Sequence, residues 1–186
     1  MKKVCVFIAN GLEECEALIT VDILRRAGIQ VTTASIHDTK NILSSHQISF
    51  TADALLSELN PEEFDMFFLP GGLGCTANLS ASPLVNSILL SYSDRDDKLL
   101  SAICAAPSVL GGLGFLKGRK ATCYPGWEEK LSGAQHTGAD VEEDGHIITG
   151  KGMGVTIPFA LKLVERLISK AKADEIRRQI QYPYEV

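Results

Sequence analysis

Short apolar runs alternate with helical stretches along most of this chain, and that alternation restricts the fold more than any other feature. KVCVFIA (Lys3–Ala9) reads as a buried strand, and Glu14–Ala27 as a helix closed by Gly28. IQVTTAS (Ile29–Ser35) is the next strand. Residues 36–52 are polar and broken, with room for a short hairpin in QISFTAD. FDMFFLP (Phe64–Pro70) reads as a strand, and Ser82-Pro83 opens a helix expected to end at Ser93. Leu99–Ile103 is a strand followed by a helix that starts after Cys104. KATCYP (Lys120–Pro125) and GHIITG (Gly145–Gly150) read as late strands, and residues 155–169 and 171–180 as closing helices. Fully apolar strands separated by helices imply an α/β fold: a mostly parallel sheet with helices on both faces. Such sheets place their sites beyond the carboxyl ends of the strands.

With 186 residues, 45% of them apolar, the chain has the material for one domain spanning 1–186. The net charge of −5 leaves no basic footprint for nucleic acid. No run of about 18 apolar residues suggests a membrane span. The run Val4–Ala9 is short for a signal peptide and no small-residue cleavage site follows it. The five cysteines, Cys5, Cys15, Cys75, Cys104 and Cys123, are odd in number and never spaced as CxxC. That spacing suggests neither a zinc site nor a dithiol motif, and the reading is of reduced thiols in a cytoplasmic protein.

Three segments fall at strand carboxyl ends: Asn10-Gly11-Leu12-Glu13-Glu14, Pro70-Gly71-Gly72 and Cys104-Ala105-Ala106-Pro107. In a doubly wound sheet these ends can share one crevice. Pro107 suits a first helical turn, so Cys104 reads as a thiol just ahead of a helix. A thiolate in that position has a pKa of roughly 3.5–7.5 instead of about 8.5. Read locally, the same pattern is equally that of a buried thiol at a tight turn. The amides of Gly72 and Ala105 are placed to hold an oxyanion or an oxidised sulfur. Glu13, Glu14 and Glu16 complement the start of the first helix. Glu16, between Cys15 and Ala17, is placed to face inward, where a carboxylate beside a thiolate must share a proton with it. Cys15 and Cys123 adjoin proposed site residues and are candidate resolving thiols. The histidines, His37, His46, His136 and His146, all sit in polar segments away from Cys104, so no Cys-His-Asp triad can be read.

The segments GLEECEALITVDILRRAG, FFLPGG, AICAAP, KATCYP and ITGKGMG followed by FAL resemble the ThiJ/PfpI superfamily, in particular the clade of the parkinsonism-associated protein deglycase (DJ-one). Together they run from residue 11 to 161, in family order. The resemblance implies a flavodoxin-like sandwich and a homodimer with the Asp22–Arg26 part of the first helix near the interface. By the same resemblance the nucleophile is Cys104, on a "nucleophile elbow", and the protonated carboxylate is Glu16. Gly72 and Ala105 are the oxyanion donors, with Gly71 beside them. Tyr124 stands where relatives carry histidine, which puts a histidine-assisted base step in doubt and leaves Tyr124 to bind substrate or water. Peptidases of the family carry histidine after the nucleophile, where this chain has Ala105, so peptidase activity is not expected.

The function that this resemblance implies is that of a cysteine-dependent glyoxalase or deglycase acting on a small aldehyde such as methylglyoxal, or on a glycated adduct, with no metal and no organic cofactor. The alternative is a redox sensor or chaperone working through oxidation of Cys104 without turnover. A passive binding pocket is the third class. No thiazole or phosphate motif supports thiamine biosynthesis.

Overall fold

The computed structural model describes residues 1–92 and 95–183. In chain order the first half comprises β1 (Lys3–Ile8), α1 (Glu14–Arg26), β2 (Gln30–Ser35), β3 (Asn41–Leu43), β4 (Ser49–Thr51), β5 (Ala54–Leu55), β6 (Met66–Leu69), α2 (Leu73–Ala81) and α3 (Pro83–Leu90). The second half comprises β7 (Leu99–Ile103), α4 (Pro107–Gly112), β8 (Lys120–Ala121), β9 (Gln135–His136), β10 (Val141–Asp144), β11 (Ile147–Gly150), α5 (Thr156–Leu167) and α6 (Lys170–Gln179).

Seven strands form the central sheet in the order β10-β11-β7-β6-β1-β2-β5, and only the β10–β11 pair is antiparallel. The three middle strands are apolar almost throughout because both of their faces are covered. β6 (MFFL) and β7 (LLSAI) are buried at every position. Phe7 stacks on Phe67 with centroids 4.9 Å apart, and Tyr92 meets Phe67 edge-on at 4.7 Å.

The chain steps from β1 to β2 in one direction, then returns to lay β6 on the other side of β1 and steps on to β7 and β11. Right-handed crossovers in opposite directions put their helices on opposite faces. Accordingly α1 packs with α5, and α5 with α6, while α2 packs with α3 and α4. The reversal between β1 and β6 opens the crevice in which such sheets bind ligands.

Several boundaries differ from the sequence reading. Helix α3 is capped by Ser82, whose Oγ accepts from Val85 N at 3.3 Å, and it runs to Leu90; the expected end at Ser93 lies outside the described residues. The expected strand Lys120–Pro125 pairs only over Lys120–Ala121. Beyond it, Thr122 N donates to Thr149 Oγ1 at 2.9 Å and Tyr124 N to the Cys104 carbonyl at 2.8 Å, so those amides leave the ladder. The hairpin expected in QISFTAD is formed by β3 and β4, so that segment holds only its second strand. Helix α2 and strand β10 were not expected.

Candidate active site

The carboxyl ends of β1, β6 and β7 bring the three candidate segments together. Glu13 N donates to the Gly71 carbonyl at 3.0 Å, which joins the start of α1 to the end of β6. Gly72 has φ +91°, and a Cβ there would lie 2.3 Å from the Gly11 carbonyl oxygen. Only glycine fits that close backbone approach with that φ.

Glu13 caps α1, its Oε2 accepting from Glu16 N at 2.7 Å. The buried stripe of α1 then includes Glu16, Ala17, Thr20, Val21, Ile23 and Leu24. Glu16 is fully buried. Its Oε2 accepts from Gly71 N at 3.0 Å, while Oε1 has no hydrogen-bond partner. A Cβ on Gly71 would stand 2.4 Å from Glu16 Oε2 and 2.6 Å from Cys104 Cβ, so the two side chains meet over Gly71. The Gly71 amide is engaged by the acid, next to Gly72 and the thiol.

Cys104 lies in the left-handed region at φ +65°. That conformation costs a non-glycine residue roughly 1–2 kcal/mol. It persists because both backbone groups are fixed: N donates to the Gly150 carbonyl at 2.9 Å and the carbonyl accepts from Tyr124 N at 2.8 Å. The turn aims the partly buried sulfur at Glu16 and at the amides of Gly72 and Ala105. The helix behind it, α4, has only six residues and starts three positions later, which leaves less dipole than the sequence implied.

Burial dominates the charges here. It pushes the Glu16 carboxyl up to about 7, helped by the charge of Glu13, while the hydrogen bonds from Cys104 and Gly71 oppose the shift. Burial pushes the Cys104 thiol up, and so does Glu16 whenever it is charged, against the amides of Gly72 and Ala105, which pull it down. Desolvation thus opposes the lowering expected for a thiol ahead of a helix. Both shifts express one constraint, that the pair holds a single negative charge. When Glu16 keeps its proton, the repulsion on the sulfur vanishes and the carboxyl becomes a donor to it. The thiolate then faces three donors: Glu16 O–H, Gly72 N–H and Ala105 N–H.

Tyr124 reaches this site through its backbone, with its ring half-exposed beside Gly152. The other thiols fit the site less well. Cys5, Cys75 and Cys123 are buried, with burial pushing Cys75 up to about 12 and Cys123 up to about 11. Burial and the neighbouring glutamates also raise Cys15.

The histidines serve elsewhere. His37 Nε2 accepts from Asn10 N at 3.1 Å, and His146 is buried near Asp96. His46 Nδ1 lies 2.8 Å from the buried Glu14 Oε1. With Glu13 these two place ligand atoms within 4.8 Å of one another, the geometry of a possible cation site. Glu13 already caps α1, Glu14 already bonds Ser45 and His46, and a helix start repels cations. Among the described residues no single helix is long and apolar enough to cross a membrane, although α2 and α3 together pass as a bent pair by length and composition.

Comparison with known proteins gives a consistent result. The sequence model of the DJ-1/PfpI family matches residues 2–166. Protein DJ-1 homolog B of Arabidopsis thaliana is 42% identical over 178 residues, covering 94% of this chain but only 40% of that protein, so this chain spans less than half of that relative. The glutathione-independent glyoxalase DJR-1.2 of Caenorhabditis elegans is 31% identical, over 90% of this chain and 89% of that one. Among solved structures, oxidized Toxoplasma gondii DJ-1 superposes with a TM-score of 0.94 at 35% identity, covering 99% of this chain and all of that one.

Proposed function

The chain belongs to the DJ-1/PfpI family, and from that membership and the geometry at Cys104 we propose that it is a cysteine-dependent, cofactor-independent glyoxalase or deglycase acting on reactive aldehydes such as methylglyoxal or their early adducts. The observation that carries this reading is the buried Glu16, held by Gly71 N–H and paired with a thiol that also faces the amides of Gly72 and Ala105. A name given to one relative, the glutathione-independent glyoxalase of Caenorhabditis elegans, supports it.

In this mechanism the Cys104 thiolate adds to the aldehyde carbon and forms a C–S bond. The amides of Gly72 and Ala105 stabilise the oxyanion, and Glu16 delivers its proton to it. The Glu16 carboxylate then takes the proton from the former aldehyde carbon and returns it to the neighbouring keto carbon, while the new hydroxyl proton passes to the former keto oxygen, giving a 2-hydroxy thioester. Water cleaves the C–S bond, releasing a 2-hydroxy acid and the free thiol. One carbon is oxidised and its neighbour reduced, so aldehyde plus water gives the acid with no outside oxidant. Tyr124 binds substrate or water at the position where relatives carry histidine. Ala105, in place of a histidine after the nucleophile, speaks against peptidase chemistry.

The proposal has the chain working as one domain in the cytoplasm and as a homodimer. An apolar groove lined by Leu18, Ile19, Asp22, Ile23, Ile157 and Ile180 supports an interface along α1. The test of function is lactate formation from methylglyoxal by the native chain and by Cys104→Ser. Turnover that vanishes with the thiol upholds the reading, and equal turnover in both sinks it. A second reading, a redox sensor or chaperone, is favoured by the same donors, which suit an oxidised sulfur. It predicts Cys104 sulfinate formation in mild peroxide and no lactate.

A further inference from the structure

Helices α2 and α3 lie in the longest uncharged stretch of the sequence. No Asp, Glu, Lys, Arg or His falls between Asp65 and Asp94, in a chain that is 22% charged. Burial accounts for β6 and for the inner sides of the two helices, where Cys75, Leu79, Val85 and Leu89 enter the core. It does not account for their outer sides. The exposed positions there are filled by leucine, alanine, serine, glycine and proline. Leu73 is 66% exposed, Leu84 41% and Leu90 49%.

The spacing gathers these positions. Leu73, Ala77 and Ser80 stand at i, i+4 and i+7, and Pro83, Ser87 and Leu90 repeat that spacing. Each set therefore runs along one side of its helix. A single residue, Ser82, separates the helices, which meet at 74°. Beyond α3 the surface becomes charged again, where Arg95 pairs with Glu62 at 3.3 Å and with Asp97 at 2.9 Å. The helices of the opposite face expose charges of their own: Arg26 on α1, Arg166 on α5 and Lys170 on α6. Loss of charge at the centre of a patch with a polar rim is the compositional mark of a protein–protein interface.

Charge also selects the occupant. With a net charge of −5, two copies of the chain repel each other through most of their surfaces. A twofold contact lays one patch against itself, and an uncharged patch does so without opposing like charges. A helix lying on a membrane carries Lys and Arg on its polar side, and α2 and α3 have neither. We propose that the α2–α3 face is a self-association surface, on which a second copy of this chain docks through its own α2–α3 face. The area sets the strength. A stable interface uses about 20–30 residues a side, and α2 and α3 expose nine. The contact is therefore weak, with a dissociation constant on the order of 100 µM. It is independent of the chemistry at Cys104, and a dimer formed along α1, on the other face of the sheet, leaves it open.

The experiment is sedimentation equilibrium of the native chain, Leu84→Glu and Leu90→Glu over about 5–500 µM. The native mass should climb by more than half above its value at the dilute end, whatever species is present there. Each Glu variant removes a leucine from both copies and opposes two like charges, so the dissociation constant should weaken at least tenfold. A native urea midpoint certifies the fold of each variant, and Leu84→Ser replaces one that loses it, with the same direction expected. Raising salt from about 0.05 to 0.5 M should leave the association no weaker, since no ion pair holds it. A native mass that stays constant over the range overturns the proposal, as does a rise that both variants share or a rise that salt abolishes. Binding to phosphatidylcholine vesicles without self-association would assign the face to lipid and overturn it equally.

Discussion

Gly71→Ala tests the site geometry by adding one methyl group. The new carbon would lie 2.4 Å from Glu16 Oε2, 2.6 Å from Cys104 Cβ and 3.1 Å from the Ile103 carbonyl oxygen. Ile103 presents backbone, and Cys104 is pinned at both its N–H and its carbonyl. The Glu16 carboxylate is therefore the group that yields. Overpacking costs about 1–3 kcal/mol, and losing the bond to the buried Gly71 N–H costs about 1–3 kcal/mol more. Reduced freedom of the unfolded chain returns about 0.4–1 kcal/mol. The net expectation is a loss of about 2–4 kcal/mol in urea unfolding, together with a fall in methylglyoxal turnover as Glu16 leaves the sulfur. Gly112→Ala is the matched control. It sits exposed at the end of α4 with nothing within 4 Å of its added carbon, and it should stabilise by about 0.4–1 kcal/mol. Native stability and native turnover in Gly71→Ala would refute the claim that acid and thiol meet over that glycine.

Three further outcomes are expected. Iodoacetamide at mildly acidic pH, followed by peptide mapping, should label Cys104 before the buried Cys5, Cys75 and Cys123 and before Cys15; first labelling elsewhere would remove the nucleophile assignment. His146 is held below its ordinary value by burial and by Arg119, against the opposing pull of Asp96. The folded state therefore favours neutral His146, and the urea midpoint should fall as pH drops below about 6.5. In His146→Gln that fall should be shallower, and an unchanged acid profile would show that this histidine does not contribute to it. Light scattering at micromolar concentration should give twice the 20.1 kDa chain mass, and the monomer mass would rule out the homodimer.

The parallel sheet was legible because β6 and β7 are apolar at every position and α1 carries both an acidic cap and the closing Gly28. Helix α2 was hidden because its buried side mixes Cys75, Thr76 and Leu79 and its start is a glycine without a side-chain cap. β10 (VEED) was hidden because its charged residues stay partly exposed at the sheet edge. Of the candidate residues, Gly71, Gly72, Cys104 and Ala105 stood out in strand-end segments, Glu16 as an inward-facing acid of the first helix and Tyr124 through the family resemblance alone, and the structure brings the segments bearing these six residues together. The left-handed backbone of Cys104 was illegible, since that conformation is normally left to glycine. The desolvation that opposes the expected thiol shift was equally illegible, because burial of Glu16 and Cys104 depends on all three strand ends at once.

The central claim is that Glu16, protonated, donates to the Cys104 sulfur. The ultraviolet absorbance of the thiolate against pH, with Cys104→Ser as baseline, measures this directly in the native chain, Glu16→Gln and Glu16→Leu. A hydrogen bond to a charged group is worth about 1.5–3 kcal/mol. At about 1.36 kcal/mol per pKa unit, removing the donor in Glu16→Leu should raise the thiol midpoint by about 1–2 units. Glu16→Gln retains an N–H donor and should raise it less. A midpoint that Glu16→Leu leaves unmoved would contradict the shared-proton pair and reduce Glu16 to an acid of the first helical turn.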